Sequence, residues 1–157
     1  MDIEIERKFL VKDTTYKKES YDCRYIKQGF LNSNKNRVVR IRIIDKKAFL
    51  TIKGKSNKKG TTRFEWEKEI SVSDAENLFL LCEKGIIEKY RYYIKSNKHV
   101  FEVDEFLGDN IGLVVAEIEL ENENDDFKTP KWLGKEVTGI SKYYNSNLSK
   151  KPYKSWA

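Results

Sequence analysis

Polar and apolar residues alternate with a period of two through most of the chain. This period places successive side chains on opposite faces of an extended strand. It predicts eight strands, at about residues 2–11, 24–31, 38–44, 48–53, 62–70, 87–94, 100–106 and 113–120. Polar or glycine-containing segments separate them, such as residues 32–36 and 54–60, and these predict turns.

One segment between the fifth and sixth strands changes to helical spacing. Residues 73–76 read Ser-Asp-Ala-Glu, a capping-box sequence, and apolar residues then recur along one helical face. Gly85 suits the position just after a helix. We therefore predict a helix over about residues 74–84. In the tail, residues 129–134 predict a turn or a helix start, and residues 143–145 predict a last short helix.

Like charges occupy alternate positions on one face of nearly every predicted strand. The acidic pairs are Glu4/Glu6, Glu65/Glu67, Glu102/Asp104 and Glu117/Glu119, and the basic pairs are Arg40/Arg42 and Lys89/Arg91. Taken alone, such a face is usually solvated. Like charges so close together repel, however, so segregation by sign favours a second interpretation, in which the charged faces point inward and opposite charges meet.

Inward charges of both signs would create a particular kind of site. Carboxylates that converge from several strands suit Mg²⁺, Mn²⁺ or Ca²⁺, whereas converging Arg and Lys side chains bind phosphate oxygens. Closing the sheet with its charges inward predicts a cavity for a metal-chelated polyphosphate. The apolar faces would then point outward, where helices and the aromatic-rich tail must cover part of them.

The composition adds a basic balance. Of 157 residues, 31 are Lys or Arg and 25 are Asp or Glu, so the formal net charge is +6. This balance favours polyanionic partners, either nucleic acids or phosphate esters. The length suits a single domain over residues 1–157.

Cysteine usage and the N-terminus indicate the compartment. Cys23 and Cys82 lie far apart in the chain, outside any CxxC or Cys/His cluster, and so support neither a disulfide framework nor a thiolate zinc site. The first eight residues are too charged for a signal peptide, and no apolar run approaches the roughly 18 residues that span a bilayer. We expect a cytoplasmic protein with no membrane partner.

The charged motifs follow one another in a distinctive order. The most specific is the N-terminal ExExK sequence, Glu4-Ile5-Glu6-Arg7-Lys8. Its companions are Arg40-Ile41-Arg42, Thr51-Ile52-Lys53, Glu65-Trp66-Glu67, Lys89-Tyr90-Arg91, Glu102-Val103-Asp104, Glu117-Ile118-Glu119 and Lys142-Tyr143-Tyr144-Asn145. Over its whole length the chain resembles CYTH-domain proteins of the triphosphate tunnel metalloenzyme superfamily, in particular short bacterial tripolyphosphatase-like members.

The resemblance implies an α+β, mainly β fold: an eight-stranded antiparallel closed β-barrel, or tunnel, with a charged interior and a few flanking helices. It implies triphosphate or polyphosphate substrates and a requirement for Mg²⁺ or Mn²⁺. It assigns catalysis to Lys8, Glu4 and Glu6. It assigns substrate binding to Lys8, Arg40, Arg42, Lys53, Lys89, Arg91 and Lys142. It assigns metal binding to Glu4, Glu6, Glu65, Glu67, Glu117 and Glu119, and the acidic face of strand 100–106 adds Asp104.

One position departs from some relatives. They carry Gln-Gly-Tyr-Leu where this chain has Gln28-Gly29-Phe30-Leu31. The missing hydroxyl removes a contact that a reacting phosphate or water could make. Lys142 also stands where some relatives have Arg, which keeps the charge but loses the bidentate geometry.

The expected activity is metal-dependent hydrolysis of the terminal phosphate of tripolyphosphate or a related triphosphate. An adenylate cyclase and a thiamine triphosphatase are alternatives within the resemblance. A non-catalytic polyphosphate-binding module is an alternative of another class, and a nucleic-acid-binding barrel is a less favoured one. The oligomeric state stays open, with a homodimer as one option.

Overall fold

A computed structural model describes residues 3–156, so residues 1, 2 and 157 of the predicted domain, and the first residue of the predicted first strand, lie outside it. The strands of this part are β1 (Ile3–Val11), β2 (Asp22–Asn32), β3 (Arg37–Ile44), β4 (Lys47–Gly54), β5 (Thr62–Ile70), β6 (Ile87–Ser96), β7 (His99–Phe106), β8 (Val114–Glu119) and β9 (Leu133–Glu136). The α-helices are α1 (Tyr16–Glu19), α2 (Val72–Phe79) and α3 (Asn145–Leu148).

Eight antiparallel strands close into a barrel, as predicted. The neighbours run β1-β8-β7-β6-β2-β3-β4-β5, and β5 returns to β1 through the pairs Ile3 with Phe64 and Glu4 with Arg63. β5 covers only the start of this edge of β1, and β9 pairs with the rest of the edge at Phe9 and Val11. Closure satisfies the strand edges that an open sheet would expose.

The apolar strand faces point outward and are covered in two places. Beneath α2, Ile41 and Ala48 pack against Ala75 of the helix. On the other side of the barrel, Phe101 and Trp132 belong to a cluster that also includes residues of β1, β6, β8, β9 and α1. Burial of these outward-facing apolar side chains provides the main hydrophobic stabilisation of the barrel.

One end of the barrel is filled by apolar side chains. Phe30 and Val38, where β2 ends and β3 begins, pack with Leu148 of α3 in a buried cluster. Tyr143 and Trp156 of the tail pack against this cluster. The C-terminal segment therefore closes the end of the barrel at which the chain turns from β2 to β3.

Helix α2 differs from its predicted bounds. It begins after Ser71, whose side chain accepts a hydrogen bond from the backbone N–H of Asp74 at 3.0 Å. The functional cap is thus two residues earlier than the predicted one, because Ser71 and Asp74 also have capping-box spacing. Gly85 does not end this helix. It adopts a φ of +94° beside Ser149, where a Cβ would overlap the Ser149 carbonyl oxygen.

The tail also differs from the prediction. A turn at residues 130–133 is present, but it leads into β9 rather than into a helix. A 3₁₀ turn at Ser141–Tyr143 then precedes α3, so the predicted last helix begins later. Within residues 3–156, no helix has the length and apolar character needed to cross a bilayer.

Candidate active site

The interior of the barrel is a charged cavity of about 200 Å³. Alternation within each strand directs the charged face inward, as the pattern predicts. Among residues 3–156, acidic and basic side chains line it in equal number. The acidic residues are Glu4, Glu6, Glu65, Glu67, Glu102, Glu117 and Glu119, and the basic residues are Lys8, Arg40, Arg42, Lys53, Arg63, Lys89 and Arg91.

Strand register brings charges from different motifs face to face. In the β1–β8 pair, Glu6 lies opposite Glu119 and Lys8 lies opposite Glu117. Directly opposite side chains on one face of a sheet lie within contact range. The ExExK motif and the Glu117/Glu119 pair are therefore two halves of one charged wall.

Two lysines act as internal counter-ions of the carboxylates. Lys53 Nζ lies 3.2 Å from Glu4 Oε1 and 3.6 Å from Glu65 Oε2. Lys8 Nζ lies 3.5 Å from Glu117 Oε1. Because Lys8 and Lys53 are buried beside these carboxylates, their ammonium groups provide charge balance that bulk solvent provides at the surface.

The carboxyl groups have divergent pKa values. Burial, followed by repulsion from Glu117 and Glu4, raises the pKa of Glu6 well above its usual range. Burial also raises the pKa of Glu4, and a hydrogen bond with Glu65 adds to the effect. Burial opposes ionisation of Glu117 as well, yet Lys8 and a hydrogen bond with Glu6 hold its pKa well below the usual range. Burial, the charge of Lys8 and mutual interaction thus shift the pKa values of Glu6 and Glu117 in opposite directions.

This acidic wall fits a divalent cation. Its donors are all carboxylate oxygens, which Mg²⁺ and Mn²⁺ prefer. The buried Oε2 of Glu65 has no hydrogen-bond partner. A cation would offset the burial and the mutual repulsion that raise the pKa values of Glu4 and Glu6. Within residues 3–156 no three carboxylate, thiol or imidazole groups are already gathered around one point. Lys53 pairs with Glu4 and Glu65 there, and Lys8 pairs with Glu117.

Asp104, a predicted metal ligand, lies apart from the carboxylates that line the cavity. It does not line the cavity but lies beneath it, 2% exposed. Its carboxylate accepts hydrogen bonds from Arg91 Nε at 2.7 Å and Nη2 at 2.9 Å, and pairs with Lys89 Nζ at 2.7 Å. Although burial opposes ionisation, Arg91 and Lys89 lower the pKa of Asp104 to about 2. Both carboxylate oxygens are thus committed to holding two basic side chains.

The basic wall, formed by Arg40, Arg42, Lys89 and Arg91, holds positive charges close together. Burial lowers the pKa of Arg42 to about 9, and repulsion from Arg40 and Arg91 adds to the effect. Burial likewise lowers the pKa of Lys89 to about 7, against the attraction of Asp104. The buried Nε of Arg40 has no hydrogen-bond partner. Such a wall is complementary to a polyanion. The negative charge of a polyanion would stabilise the charged forms of Arg42 and Lys89, and its oxygens could accept a hydrogen bond from Arg40 Nε.

The structure brings most of the predicted site residues together, but not Lys142. Lys142 is exposed and does not line the cavity; its Nζ lies 4.6 Å from the centroid of the Trp156 ring. The 3₁₀ turn at Ser141–Tyr143 places Lys142 on the outer side of the tail. Tyr144 and Asn145 reach the cavity instead.

Several cavity residues were absent from the predicted site. Arg63 and Glu102 share inward strand faces with Glu65 and Asp104, so period-two alternation could have identified both. Tyr144 and Asn145 come from the tail, where no periodic pattern distinguishes them. Phe30 also lines the cavity, while its ring packs in the apolar closed end.

Comparison with known proteins places these features in a family. The CYTH domain family profile matches residues 2–153. The chain is 49% identical over 154 residues to an inorganic triphosphatase of Acetivibrio thermocellus, covering 98% of this chain and 97% of that protein. It is 33% identical over 150 residues to an inorganic triphosphatase of Nitrosomonas europaea, covering 93% of this chain and 96% of that one.

A solved structure shares the architecture. The crystal structure of the inorganic triphosphatase NE1496 superposes with a TM-score of 0.63 at 32% sequence identity, over 93% of this chain and 97% of that chain. The profile match and the identities both extend over nearly the whole sequence. The chain belongs to the CYTH domain family.

Proposed function

We propose that this protein is a metal-dependent triphosphatase that hydrolyses the terminal phosphate of inorganic tripolyphosphate or a related triphosphate. The observation that carries the proposal is the cavity itself, in which a carboxylate wall and an Arg/Lys wall face each other inside a closed barrel. The relatives that are inorganic triphosphatases support the same activity.

The Arg/Lys wall would bind the phosphate chain. Arg40, Arg42 and Arg91 present planar guanidinium groups that suit bidentate contact with phosphate oxygens. Lys89 and Lys53 add point charges. These groups are already oriented, so they can stabilise charge on the phosphate oxygens in the transition state with little reorganisation.

The carboxylate wall would hold Mg²⁺ or Mn²⁺. We assign this role to Glu4, Glu6, Glu65, Glu67, Glu117 and Glu119, and we exclude Asp104 because both its oxygens bind Arg91 and Lys89. A bound ion would supply positive charge to the phosphate oxygens and to the attacking water.

Lys8 lies among the carboxylates, opposite Glu117 on β8. Its Nζ lies 3.5 Å from Glu117 and donates to the Tyr143 carbonyl oxygen at 3.3 Å. We assign it to the phosphate nearest the reaction. The raised pKa of Glu6 beside the lowered pKa of Glu117 would let this pair of carboxyl groups take up or release a proton as the charge in the cavity changes.

The test is a substrate panel with product identification. Purified protein is assayed with tripolyphosphate, ATP, thiamine triphosphate and long-chain polyphosphate, each with Mg²⁺ and with Mn²⁺. We expect orthophosphate and pyrophosphate from tripolyphosphate, and no release when EDTA removes the metal.

Other products would identify other functions. Cyclic AMP and pyrophosphate from ATP would identify a cyclase, and preferential release from thiamine triphosphate would identify a thiamine triphosphatase. Tight binding of tripolyphosphate with no phosphate release in any metal would overturn the hydrolase proposal in favour of a binding module.

A cytoplasmic location fits the free thiols of Cys23 and Cys82.

A further inference from the structure

Asn145 joins the C-terminal segment to the basic wall. It is the first residue of α3 and lines the cavity. Its Oδ1 accepts hydrogen bonds from Lys89 Nζ and from Gln28 Nε2, each at 2.8 Å. Gln28 Oε1 in turn accepts from Arg42 Nε at 2.8 Å. Gln28 and Asn145 thus form an amide bridge between Lys89 and Arg42.

The two ends of this amide bridge determine how both amides are oriented. Lys and Arg side chains carry only donors, so Gln28 must meet Arg42 with its oxygen. The nitrogen of Gln28 then faces Asn145 and needs an oxygen there. Lys89 needs that same oxygen. Because both requirements agree, the amide of Asn145 has one orientation that satisfies its neighbours.

That orientation leaves the amino group of Asn145 without a protein acceptor. Oδ1 takes both hydrogen bonds, and Nδ2 has no hydrogen-bond partner within residues 3–156. The immediate surroundings are cationic, since Lys89 and Arg42 are the ends of the amide bridge. The two N–H groups of Asn145 Nδ2 lie near these cations in the cavity wall, and such a group of donors is complementary to an anionic oxygen.

The position of Asn145 is set by packing rather than by the amide bridge alone. Leu148, on the same short helix, is 1% exposed and belongs to the apolar closed end. Gly85 lies against the backbone of Ser149, the residue after that helix. Asn145 therefore stays at one depth in the cavity. This fixed position favours binding of an anion, because less conformational entropy of the side chain is lost on binding.

We propose that Asn145 is a substrate-binding residue whose amino group donates to a non-bridging phosphate oxygen. Its Oδ1 at the same time holds Lys89 and, through Gln28, Arg42 in place around that phosphate. This inference rests on the proposed function, because the anion is taken to be the triphosphate substrate.

The experiment compares Asn145→Ala and Asn145→Asp with Asn147→Ala. Asn147 is a matched control on the same helix: it does not line the cavity, and its Nδ2 donates to the Ser141 carbonyl oxygen at 2.7 Å. Calorimetry in metal-free buffer measures the Kd for tripolyphosphate. Kinetics with Mg²⁺ separate KM from kcat, and urea unfolding measures stability.

For Asn145→Ala we expect Kd and KM to rise about ten- to hundred-fold, since hydrogen bonds to charged groups are lost, while kcat changes less. Asn145→Asp keeps an acceptor for Lys89, so its stability should match or exceed that of the native protein. Its Kd should nevertheless rise at least as far, because a carboxylate oxygen replaces the donor. Asn147→Ala should bind within about two-fold of native.

Two results would overturn this proposal. One is binding by Asn145→Ala within about two-fold of native. The other is native-like binding by Asn145→Asp, which would show that the residue acts only through its oxygen. If native protein releases no phosphate in any metal, the proposed hydrolase function fails, but the metal-free Kd values still test Asn145.

Discussion

Ile41 and Arg42 are adjacent on β3, and the architecture requires opposite consequences when each is replaced by Ala. Ile41 is 0% exposed and packs beneath α2 with Ala48 and Ala75. Arg42 lines the cavity and bonds to Gln28. One side chain therefore holds the barrel to its helix, and the other faces the substrate.

The expected magnitudes follow from these surroundings. Ile41→Ala removes buried methyl and methylene groups and leaves a cavity, so the free energy of unfolding should fall by about 2–4 kcal/mol. Arg42→Ala loses one hydrogen bond but relieves repulsion from Arg40 and Arg91, so stability should change by no more than about 1 kcal/mol. Loss of a charged phosphate contact should lower kcat/KM for tripolyphosphate about 10- to 100-fold.

Urea unfolding and phosphate release, measured on the same preparations, check both expectations. Arg37→Ala is the matched control, because Arg37 is an exposed arginine on the same strand that does not line the cavity; it should change neither quantity appreciably. If Ile41→Ala keeps native stability while Arg42→Ala lowers the free energy of unfolding by several kcal/mol and keeps native specific activity, the inward-charge architecture is wrong.

The remaining predictions concern individual cavity groups. Glu4→Gln and Glu119→Gln should reduce metal-dependent turnover sharply without lowering the metal-free melting temperature, since a neutral amide removes carboxylate repulsion; a large loss of stability at full activity would contradict this. Because burial lowers the pKa of Lys89 to about 7, the ammonium form that binds phosphate is lost as pH rises through that value. Metal-free affinity for tripolyphosphate should therefore fall from pH 6 to 8 relative to Lys89→Arg, which stays charged, and parallel profiles would refute the assignment. Phe30→Tyr should change turnover or chain-length preference only modestly, by a factor that corresponds to about 1 kcal/mol, with the same metal requirement; restoration of activity by orders of magnitude in an inactive native protein would show that the hydroxyl is essential.

The strands and their charged faces could be predicted from the sequence because side-chain alternation is a local property. Each of the eight predicted segments corresponds to a barrel strand, and Arg40 and Arg42 face the same cavity because they are two residues apart. The inward direction of these faces also follows from the sequence, since like charges that repel on one strand require opposite charges from another. The same alternation contains Arg63 and Glu102, which the predicted site omitted.

Tertiary structure alone decided where the tail lies and what it contacts. Leu133–Glu136 forms a strand because it pairs with the free edge of β1. The intrinsic strand propensity of four residues cannot indicate such a pairing. Lys142 lies outside the cavity because of the 3₁₀ turn at Ser141–Tyr143. Asn145 is uncharged and so gave no signal in the charge pattern, yet its side chain accepts a hydrogen bond from Lys89. Asp104 shares a strand face with Glu102 but is more deeply buried, and the depth of each residue depends on how the barrel closes. These assignments depend on contacts between residues far apart in the chain, such as Phe9 with Glu136 and Lys89 with Asn145, so their physical cause is absent from any local pattern.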